Sequence, residues 1–229
     1  MLPMHQLGKA RALLQRGQYA ELVDEVTSRL LPAGNPVLYW DRFVIVGLVP
    51  GQAHPSARGL APAPVLASAG DLEALRRARP DRADLVQRRL DQGQSCHVIR
   101  EGGEIAARLW MVGDRPAYHT NSGLHFVPPA RPALWCHDIY VAPAHRKRGL
   151  FLALVQNAAG LGPEGRAPHL YGEIHFLNHA SVRAHLRFGY RVIRTVTVVS
   201  VLGWKVFRVE DDGGHATWQT RYAWRVPHL

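Results

Sequence analysis

The sequence has few of the residues that stabilise small secreted domains or bind metal ions. Only two of its 229 residues are cysteines, Cys96 and Cys136, and each lies in an apolar run typical of a strand. Neither belongs to a CxxC pair or to a Cys/His set with metal-ligand spacing, and the 13 histidines are scattered. We therefore expect buried free thiols in a reducing compartment and no metal site.

Long apolar runs are missing too. No window approaches the ~20 residues that a membrane-spanning helix needs. The N-terminus leads into a charged amphipathic stretch in place of the apolar segment of a secretory signal. We therefore expect a cytoplasmic protein with no transmembrane segment.

Acidic residues are in deficit. The chain has 18 Asp and Glu residues against 28 Lys and Arg residues, for a net charge of +10 and an isoelectric point near 10.3. Such a protein attracts an anion, which could be nucleic acid, an anionic membrane surface or a phosphate-rich cofactor. Charge alone does not choose among these three. The 47% of apolar residues is enough for an ordinary buried core.

Composition divides the chain near residue 60. Residues 4–31 have apolar positions at helical spacing, residues 37–49 are rich in β-branched and aromatic side chains, and residues 50–64 are rich in Gly, Pro and Ala. We therefore predict an extension of helices and one strand over residues 1–60, followed by a domain over residues 61–229.

The elements predicted for this second part indicate an α/β (α+β) fold. A short strand precedes two helices that begin near Asp71 and Asp81, and four strand-like runs separated by turns follow them. From residue 147 onward a helix, a strand, a second helix and further strands alternate. This order predicts a mixed, largely antiparallel central sheet flanked by helices on both faces.

The turn at residues 145–149 is a candidate ligand site. The predicted strand ends at Val141, and His145-Arg146-Lys147-Arg148-Gly149 opens the next helix. Backbone N–H groups at a helix N-terminus, beside three basic side chains, favour an anion. A diphosphate with a further ribose phosphate suits this spread of positive charge. The alternative is a solvated start of a helix.

Two motifs resemble those of the GNAT superfamily of N-acetyltransferases. Arg146-Lys147-Arg148-Gly149-Leu150-Phe151 is similar to the acyl-CoA loop of that family, Arg/Gln-x-x-Gly-x-Gly/Ala, and departs from it at Phe151. Asn178-His179-Ala180-Ser181 starts a predicted helix that ends in Phe188-Gly189-Tyr190, which resembles the family's Asn-x-x-Ala/Ser … Gly-Phe/Tyr segment. The resemblance covers about residues 64–209.

The resemblance implies a GNAT-like fold and direct transfer of an acyl group from acetyl-CoA, or another acyl-CoA, to an amine. The acceptor would be a small molecule, an amino sugar or a peptide. Backbone groups of the strand ending at Val141 would hold the pantetheine and polarise the thioester. The residues expected to bind the cofactor are Ile139, Tyr140, Val141, Arg146, Lys147, Arg148, Gly149, Leu150, Phe151, Asn178 and Ser181.

Acyl transfer to an amine needs a base, and the leaving thiolate benefits from an acid. Asp138 and Glu173 are the candidate bases, because a carboxylate within an apolar strand is costly unless it is paired or used. Either acid could instead pair with a buried arginine or histidine. His185 is the candidate acid, since it occupies a position where the family often has a tyrosine; ordinary core packing is the alternative for His185.

Strand periodicity assigns faces to these residues. Ile139 and Val141 should share one face of their strand, with Asp138 and Tyr140 on the other. On the next strand, Glu173 and His175 should lie on the face opposite Ile174.

The sequence is compatible with two other functions. Phe151 and the missing tyrosine are compatible with a longer acyl-CoA, or with an acyl carrier protein as donor. A non-catalytic protein that binds nucleic acid or an anionic membrane is a second alternative. The densest basic triplet lies on the predicted cofactor loop and not in an extended stripe, which disfavours nucleic acid as a partner.

The acceptor pocket is expected from segments around the predicted domain. These are the N-terminal helices, the strand around Tyr39-Trp40-Asp41-Arg42, the loop at residues 119–125 and the segment 218–224. The sequence does not identify the acceptor, and a homodimer stays open.

Overall fold

The computed structural model of the protein describes residues 38–51, 62–80, 83–113, 117–119, 124–162, 166–202 and 204–222. The helices predicted within residues 4–31 and most of the predicted connector lie outside these ranges. No helix within them is both long enough and apolar enough to cross a membrane.

Eleven strands and four α-helices make up this part of the chain. The strands are β1 Leu38–Leu48, β2 Val65–Leu66, β3 Ser95–Glu101, β4 Glu104–Gly113, β5 Ala117–His119, β6 Leu124–Phe126, β7 Ala133–Val141, β8 His169–His175, β9 Arg191–Val201, β10 Trp204–Asp211 and β11 Ala216–Tyr222. The helices are α1 Ala69–Ala78, α2 Ala83–Asp91, α3 Leu150–Ala159 and α4 His179–Arg187.

Nine strands form one sheet in the order β11-β10-β9-β1-β8-β7-β4-β3-β2, and β5 pairs with β6 in a separate hairpin. β7 and β8 run parallel, while the other neighbouring pairs described in the sheet are antiparallel. The mixed, largely antiparallel sheet expected from the order of elements is therefore confirmed.

β1 lies in the middle of this sheet. It pairs with β8 on one side and with β9 on the other, with Phe43 opposite both His175 and Val196. The strand predicted within residues 1–60 is thus a central strand, and the sheet draws on residues from both sides of the predicted division.

Helices cover both faces of the sheet, as predicted. Leu154 of α3 and Val182 of α4 pack with Leu109 and Met111 of β4. Trp110, between those two β4 residues, packs with α1 and α2 on the opposite face. The α1 helix begins at a capping box in which Ser68 and Asp71 bond each other's backbone N–H, which accounts for the start predicted near Asp71.

The parallel strands β7 and β8 stop pairing before their C-terminal ends. They pair from Ala133 and His169 to Trp135 and Tyr171, and the described ladder goes no further. Residues 136–141 and 172–175 continue the two strands beyond this ladder. We call the space between these two segments the wedge. Ligands of sheets with parallel strands bind where neighbouring strands diverge at their carboxyl ends.

Candidate active site

The loop after β7 leads directly into the N-terminus of α3. A 3-10 turn at Pro143–His145 follows the strand, and α3 starts at Leu150 with Gly149 as its N-cap. Gly149 has a φ of 79°, in the left-handed region that glycine adopts without strain, and it offers no side chain to cap the helix. The first N–H groups of α3 therefore remain available to an anion.

The basic side chains of this loop differ in their contacts. Arg146 donates from Nε to the backbone oxygen of Val141 at 3.3 Å. Arg148 and His145 both contact Glu101, with Nη1 and Nδ1 lying 2.5 and 2.8 Å from its Oε2. Lys147 is exposed. Glu101, at the end of β3, thus offsets part of the positive charge of the predicted phosphate site.

The second motif forms the start of α4. Asn178 is its N-cap, and its side-chain oxygen accepts a hydrogen bond from the Ser181 N–H at 3.2 Å. The helix start predicted at Asn178 is therefore confirmed, while cofactor binding by Asn178 and Ser181 stays a prediction.

Phe151, in the first turn of α3, packs against the C-terminal part of α4. Its ring lies 4.8 Å from the His185 ring in an edge-on contact and 5.1 Å from the Phe188 ring in a stacked contact. His185 also meets Tyr190 edge-on at 4.9 Å. These rings fill the space between α3 and α4, where the family motif has a small residue in place of Phe151.

His185 is buried and neutral in this arrangement. Its Nδ1 donates to the backbone oxygen of Ser181 at 2.8 Å, because a carbonyl can only accept. Burial lowers its pKa, an effect that the hydrogen bond to Ser181 only partly opposes. The neutral ring therefore has no proton on Nε2, so it can accept there but cannot donate.

Asp138 occupies a β-bulge in β7 and is held by two arginines. Its φ is 47°, and the pairing of β4 with β7 shifts register at this point. Arg89 of α2 and Arg108 of β4 lie 2.6 and 3.1 Å from its two carboxylate oxygens. Burial alone would raise the pKa of Asp138, but the two arginines lower it below its ordinary value. Asp138 thus corresponds to the pairing alternative given in the sequence analysis.

The other cofactor candidates on β7 follow the predicted alternation. Ile139 and Val141 pack against the core on the α3 side of the sheet. Tyr140 is exposed, and the Arg108 guanidinium lies 4.7 Å from the centre of its ring.

Glu173 lies on the β8 side of the wedge. Ile174 belongs to the core under α3, so Glu173 and His175 lie on the opposite face, as predicted. Burial raises the pKa of Glu173 to about 8, with a further contribution from the negative charge of Asp41. The pKa values of Asp138 and Glu173, equivalent candidates in the sequence, are therefore shifted in opposite directions, and Glu173 can take up a proton near neutral pH.

Sequence reasoning placed Asp41 only within a segment of the acceptor pocket and did not single it out as a buried acid. Asp41 is 6% exposed and contacts His175, with Oδ1 and Nε2 3.4 Å apart. The criterion that selected Glu173, an acid inside an apolar strand, applies equally to Asp41 in β1. Glu101 had no comparable signal, since it precedes an ordinary Gly-Gly turn.

Solved structures of acetyltransferases are similar to this chain at low sequence identity. A GNAT-family acetyltransferase from Novosphingobium aromaticivorans is 20% identical with a TM-score of 0.48, and the match covers 72% of this chain and 67% of that chain. A GNAT-family acetyltransferase from Colwellia psychrerythraea is 9% identical with a TM-score of 0.43, and the match covers 71% of this chain and 56% of that chain. An aminoglycoside antibiotic 6'-N-acetyltransferase from Acinetobacter haemolyticus is 19% identical with a TM-score of 0.41, over 57% of this chain and 91% of that chain.

The chain thus spans little more than half the length of the Colwellia structure. A comparison with curated protein sequences found no match. The family model of GNAT acetyltransferases matches residues 68–190, from the N-cap of α1 to the start of β9. Because this match includes more than half of the chain, the protein belongs to the acetyltransferase (GNAT) family of acetyl-CoA-dependent N-acetyltransferases.

Proposed function

We propose that the protein transfers an acetyl group from acetyl-CoA directly to an amine of a small molecule, amino sugar or peptide, with Glu173 as the general base. The observation that carries this proposal is the position of Glu173. It is a half-buried acid with a pKa of about 8, on one side of the wedge that opens towards the N-terminus of α3. In this arrangement the cofactor phosphates lie at the loop and the thioester reaches between β7 and β8.

The loop is suited to the phosphates of coenzyme A. Backbone N–H groups at the start of α3 donate to one phosphate, while Arg146 and Lys147 supply positive charge nearby. Residues 136–141 of β7 have backbone groups on the wedge side without a β8 partner in the described ladder. One such N–H group can donate to the thioester oxygen as negative charge develops on it.

Glu173 starts the reaction by taking a proton from the acceptor ammonium, which leaves a neutral amine. The nitrogen lone pair attacks the thioester carbon, and the tetrahedral intermediate then loses the C–S bond with its electrons going to sulfur. The second proton of the nitrogen passes to the thiolate or to solvent water, which gives the amide and free coenzyme A. A thiolate leaves readily without a strong acid. Neutral His185 has no proton on Nε2 to donate, so we do not assign it as the general acid.

The aromatic contacts at α3 favour acetyl over a long acyl chain. Phe151 takes up room between α3 and α4, and both Phe188 and His185 contact it within about 5 Å. An extended chain entering this space would have to displace packed rings.

Acetyl-CoA binding and amine-dependent release of free thiol test the proposal. We expect acetyl-CoA to raise the melting temperature and longer acyl-CoAs to raise it less. A panel of amines, amino sugars and peptides then identifies the acceptor by release of free thiol. Glu173→Gln should lower transfer about 100-fold or more while acetyl-CoA still binds.

Glu73→Gln, the same change at a half-exposed position on α1, serves as the control and should leave transfer unchanged. No stabilisation by acetyl-CoA, combined with tight and salt-sensitive DNA binding, would overturn the proposal in favour of the binding-protein alternative. Normal transfer by Glu173→Gln would overturn the assignment of the base.

A further inference from the structure

Two residues of the loop at residues 145–149 have backbone angles in the left-handed region. Lys147 has a φ of 64° and Gly149 has a φ of 79°. Glycine adopts this region freely, but the Cβ of a lysine makes it strained. Strained backbone persists only where the surrounding structure holds it. Contacts elsewhere in the protein must therefore keep Lys147 in this conformation.

Backbone hydrogen bonds secure only the first part of this loop. The N–H groups of His145 and Arg146 donate to backbone oxygens three residues earlier, at 2.9 and 3.4 Å. None of the backbone hydrogen bonds described for this part of the chain involves Lys147 or Arg148. The strained residue and the one after it therefore depend on side-chain contacts.

Glu101 makes such contacts on both sides of Lys147. Its Oε2 atom accepts a hydrogen bond from Nδ1 of His145 at 2.8 Å and another from Nη1 of Arg148 at 2.5 Å. One carboxylate oxygen can accept both bonds, because it has two lone pairs. Residues 145 and 148 are thus bound to the same atom, which holds the turn between them closed.

The place of Glu101 in the sheet makes it a fixed point for this turn. Glu101 ends β3 and pairs with Glu104 of β4 across a two-glycine turn. β4 in turn pairs with β7, the strand that leads into the loop. The Glu101 side chain is 16% exposed, so solvent screens its ion pairs less than those of a fully exposed residue. Glu101 therefore fastens the loop to the sheet from which it departs.

We propose that Glu101 is a positioning residue of the cofactor loop: by binding His145 and Arg148 together, it sets the loop in its anion-binding conformation before acetyl-CoA arrives. This inference rests on the proposed function, because it requires the loop to bind the cofactor phosphates. A preformed loop loses less conformational freedom on binding, which strengthens affinity.

The charge of Glu101 acts in the opposite direction to this role. A carboxylate beside a phosphate site repels the ligand and offsets the positive charge of the loop. If Glu101 acted through its charge alone, its removal would tighten acetyl-CoA binding. If Glu101 positions the loop, its removal weakens binding although the protein becomes more positive. The sign of the change in affinity therefore distinguishes the two roles.

Isothermal titration of the whole protein with acetyl-CoA measures this change without an acceptor. Glu101→Ala removes the charge and both hydrogen bonds, and we expect about tenfold weaker binding because the loop must then become ordered on binding. Glu101→Gln removes the charge but keeps an oxygen that accepts both bonds, so its affinity should stay within about threefold of the unmodified protein. Rescue by glutamine would show that the acceptor atom matters more than the charge.

Glu104→Ala is the matched control. Glu104 is exposed at the other end of the same turn, and its carboxylate makes no hydrogen bond or ion pair with the residues that the structure describes. This variant removes the same charge from the same hairpin, so its affinity for acetyl-CoA should be unchanged or slightly higher. Binding by folded Glu101→Ala that is as tight as in the unmodified protein, or tighter, would overturn the proposal.

His145→Ala gives a second test that does not depend on the folding of Glu101→Ala. It removes one of the two bonds to Glu101 and should weaken binding about threefold. In the Glu101→Ala background it should have no further effect, because both changes remove the same contact. Additive losses would mean that His145 contacts the cofactor directly and would overturn the proposal. If Glu101→Ala does not fold, unchanged affinity in His145→Ala would overturn it.

Failure of the proposed function gives a different result. In that case the unmodified protein itself does not bind acetyl-CoA. If the unmodified protein binds acetyl-CoA and Glu101→Ala binds it equally well, only the positioning role of Glu101 fails.

Discussion

The Nδ1 atom of His185 donates a hydrogen bond of 2.8 Å to the backbone oxygen of Ser181, one turn earlier in α4. This bond fixes the tautomer of the ring. Burial among Phe151 and Tyr190 lowers the pKa of the ring and keeps it neutral, so its one proton is on Nδ1 and Nε2 has a lone pair.

We therefore expect His185→Phe to retain most of its activity. The phenyl ring keeps the edge-on contacts with Phe151 and Tyr190 and loses only the hydrogen bond, worth about 1 kcal/mol of unfolding free energy. Release of free thiol should stay within about threefold of the unmodified rate. General acids typically contribute about 100-fold or more, so a loss of that size in a folded variant would restore the acid role to His185.

Gly149→Ala should weaken acetyl-CoA binding. An alanine at a φ of 79° costs about 1 kcal/mol in backbone strain. No atom lies within 4 Å of the added Cβ, so nothing blocks the loop, and we expect it to move and relieve this strain. Isothermal titration with acetyl-CoA should show about tenfold lower affinity.

Gly214→Ala is a matched control for this experiment. Gly214 has the same φ of 79° and equally open surroundings, but it lies in the turn between β10 and β11. Both variants should lose similar stability, measured by urea unfolding, while only Gly149→Ala loses affinity. Equal affinity in the two variants would contradict the assignment of the loop.

Asp138→Asn should reduce stability more than it reduces transfer. The change leaves Arg89 and Arg108 without their shared counterion, at an expected cost of about 2 kcal/mol. Asparagine tolerates the positive φ at this position, so the bulge itself should persist. We expect the rate of free thiol release to fall no more than about tenfold, which is less than a general base contributes.

Asp138→Ala tests the effect of the bulge separately from the effect of the lost charge. An alanine at a φ of 47° adds a backbone cost of about 1 kcal/mol to the loss of the ion pairs. Transfer should therefore fall further in Asp138→Ala than in Asp138→Asn. Equal and complete loss of transfer in both variants, with the fold intact, would instead identify Asp138 as the base.

Local patterns predicted the features that depend on neighbours along the chain. Strand alternation correctly assigned the faces of Ile139, Glu173 and His175. Helix-start signals located Gly149 and Asn178 at the N-termini of α3 and α4. These features follow from the two-residue period of a strand and from the unpaired N–H groups at a helix start. Both can be recognised in a short stretch of sequence.

Long-range pairing could not be predicted in the same way. The partners of Asp138, Arg89 and Arg108, lie 49 and 30 residues before it in the sequence. The central position of β1 depends on pairing with β8 and β9, more than 120 residues later. Any apolar strand can pair at many places in a sheet, so the pattern of residues 37–49 predicted a strand but not its neighbours.

Glu173→Gln should stabilise the protein at high pH. The folded-state pKa of Glu173, about 8, lies above its ordinary value of 4.5, so folding favours the protonated carboxyl group. Its contribution to stability is complete below pH 4.5 and is lost as the pH rises to 8, because the unfolded chain releases its proton earlier than the folded one. The side-chain amide of Glu173→Gln would not ionise in either state, so the variant would not show this loss.

Urea unfolding of the two proteins from pH 5 to pH 9 measures this effect. The free energy of unfolding of Glu173→Gln should exceed that of the unmodified protein by about 4 kcal/mol at pH 8, and the difference should shrink to about 1 kcal/mol at pH 5. Glu73→Gln should show no such pH dependence. A difference that is constant with pH would mean that Glu173 is ionised throughout this range, and a base that is already ionised at pH 5 would be too weak to take a proton from an ammonium group near neutral pH.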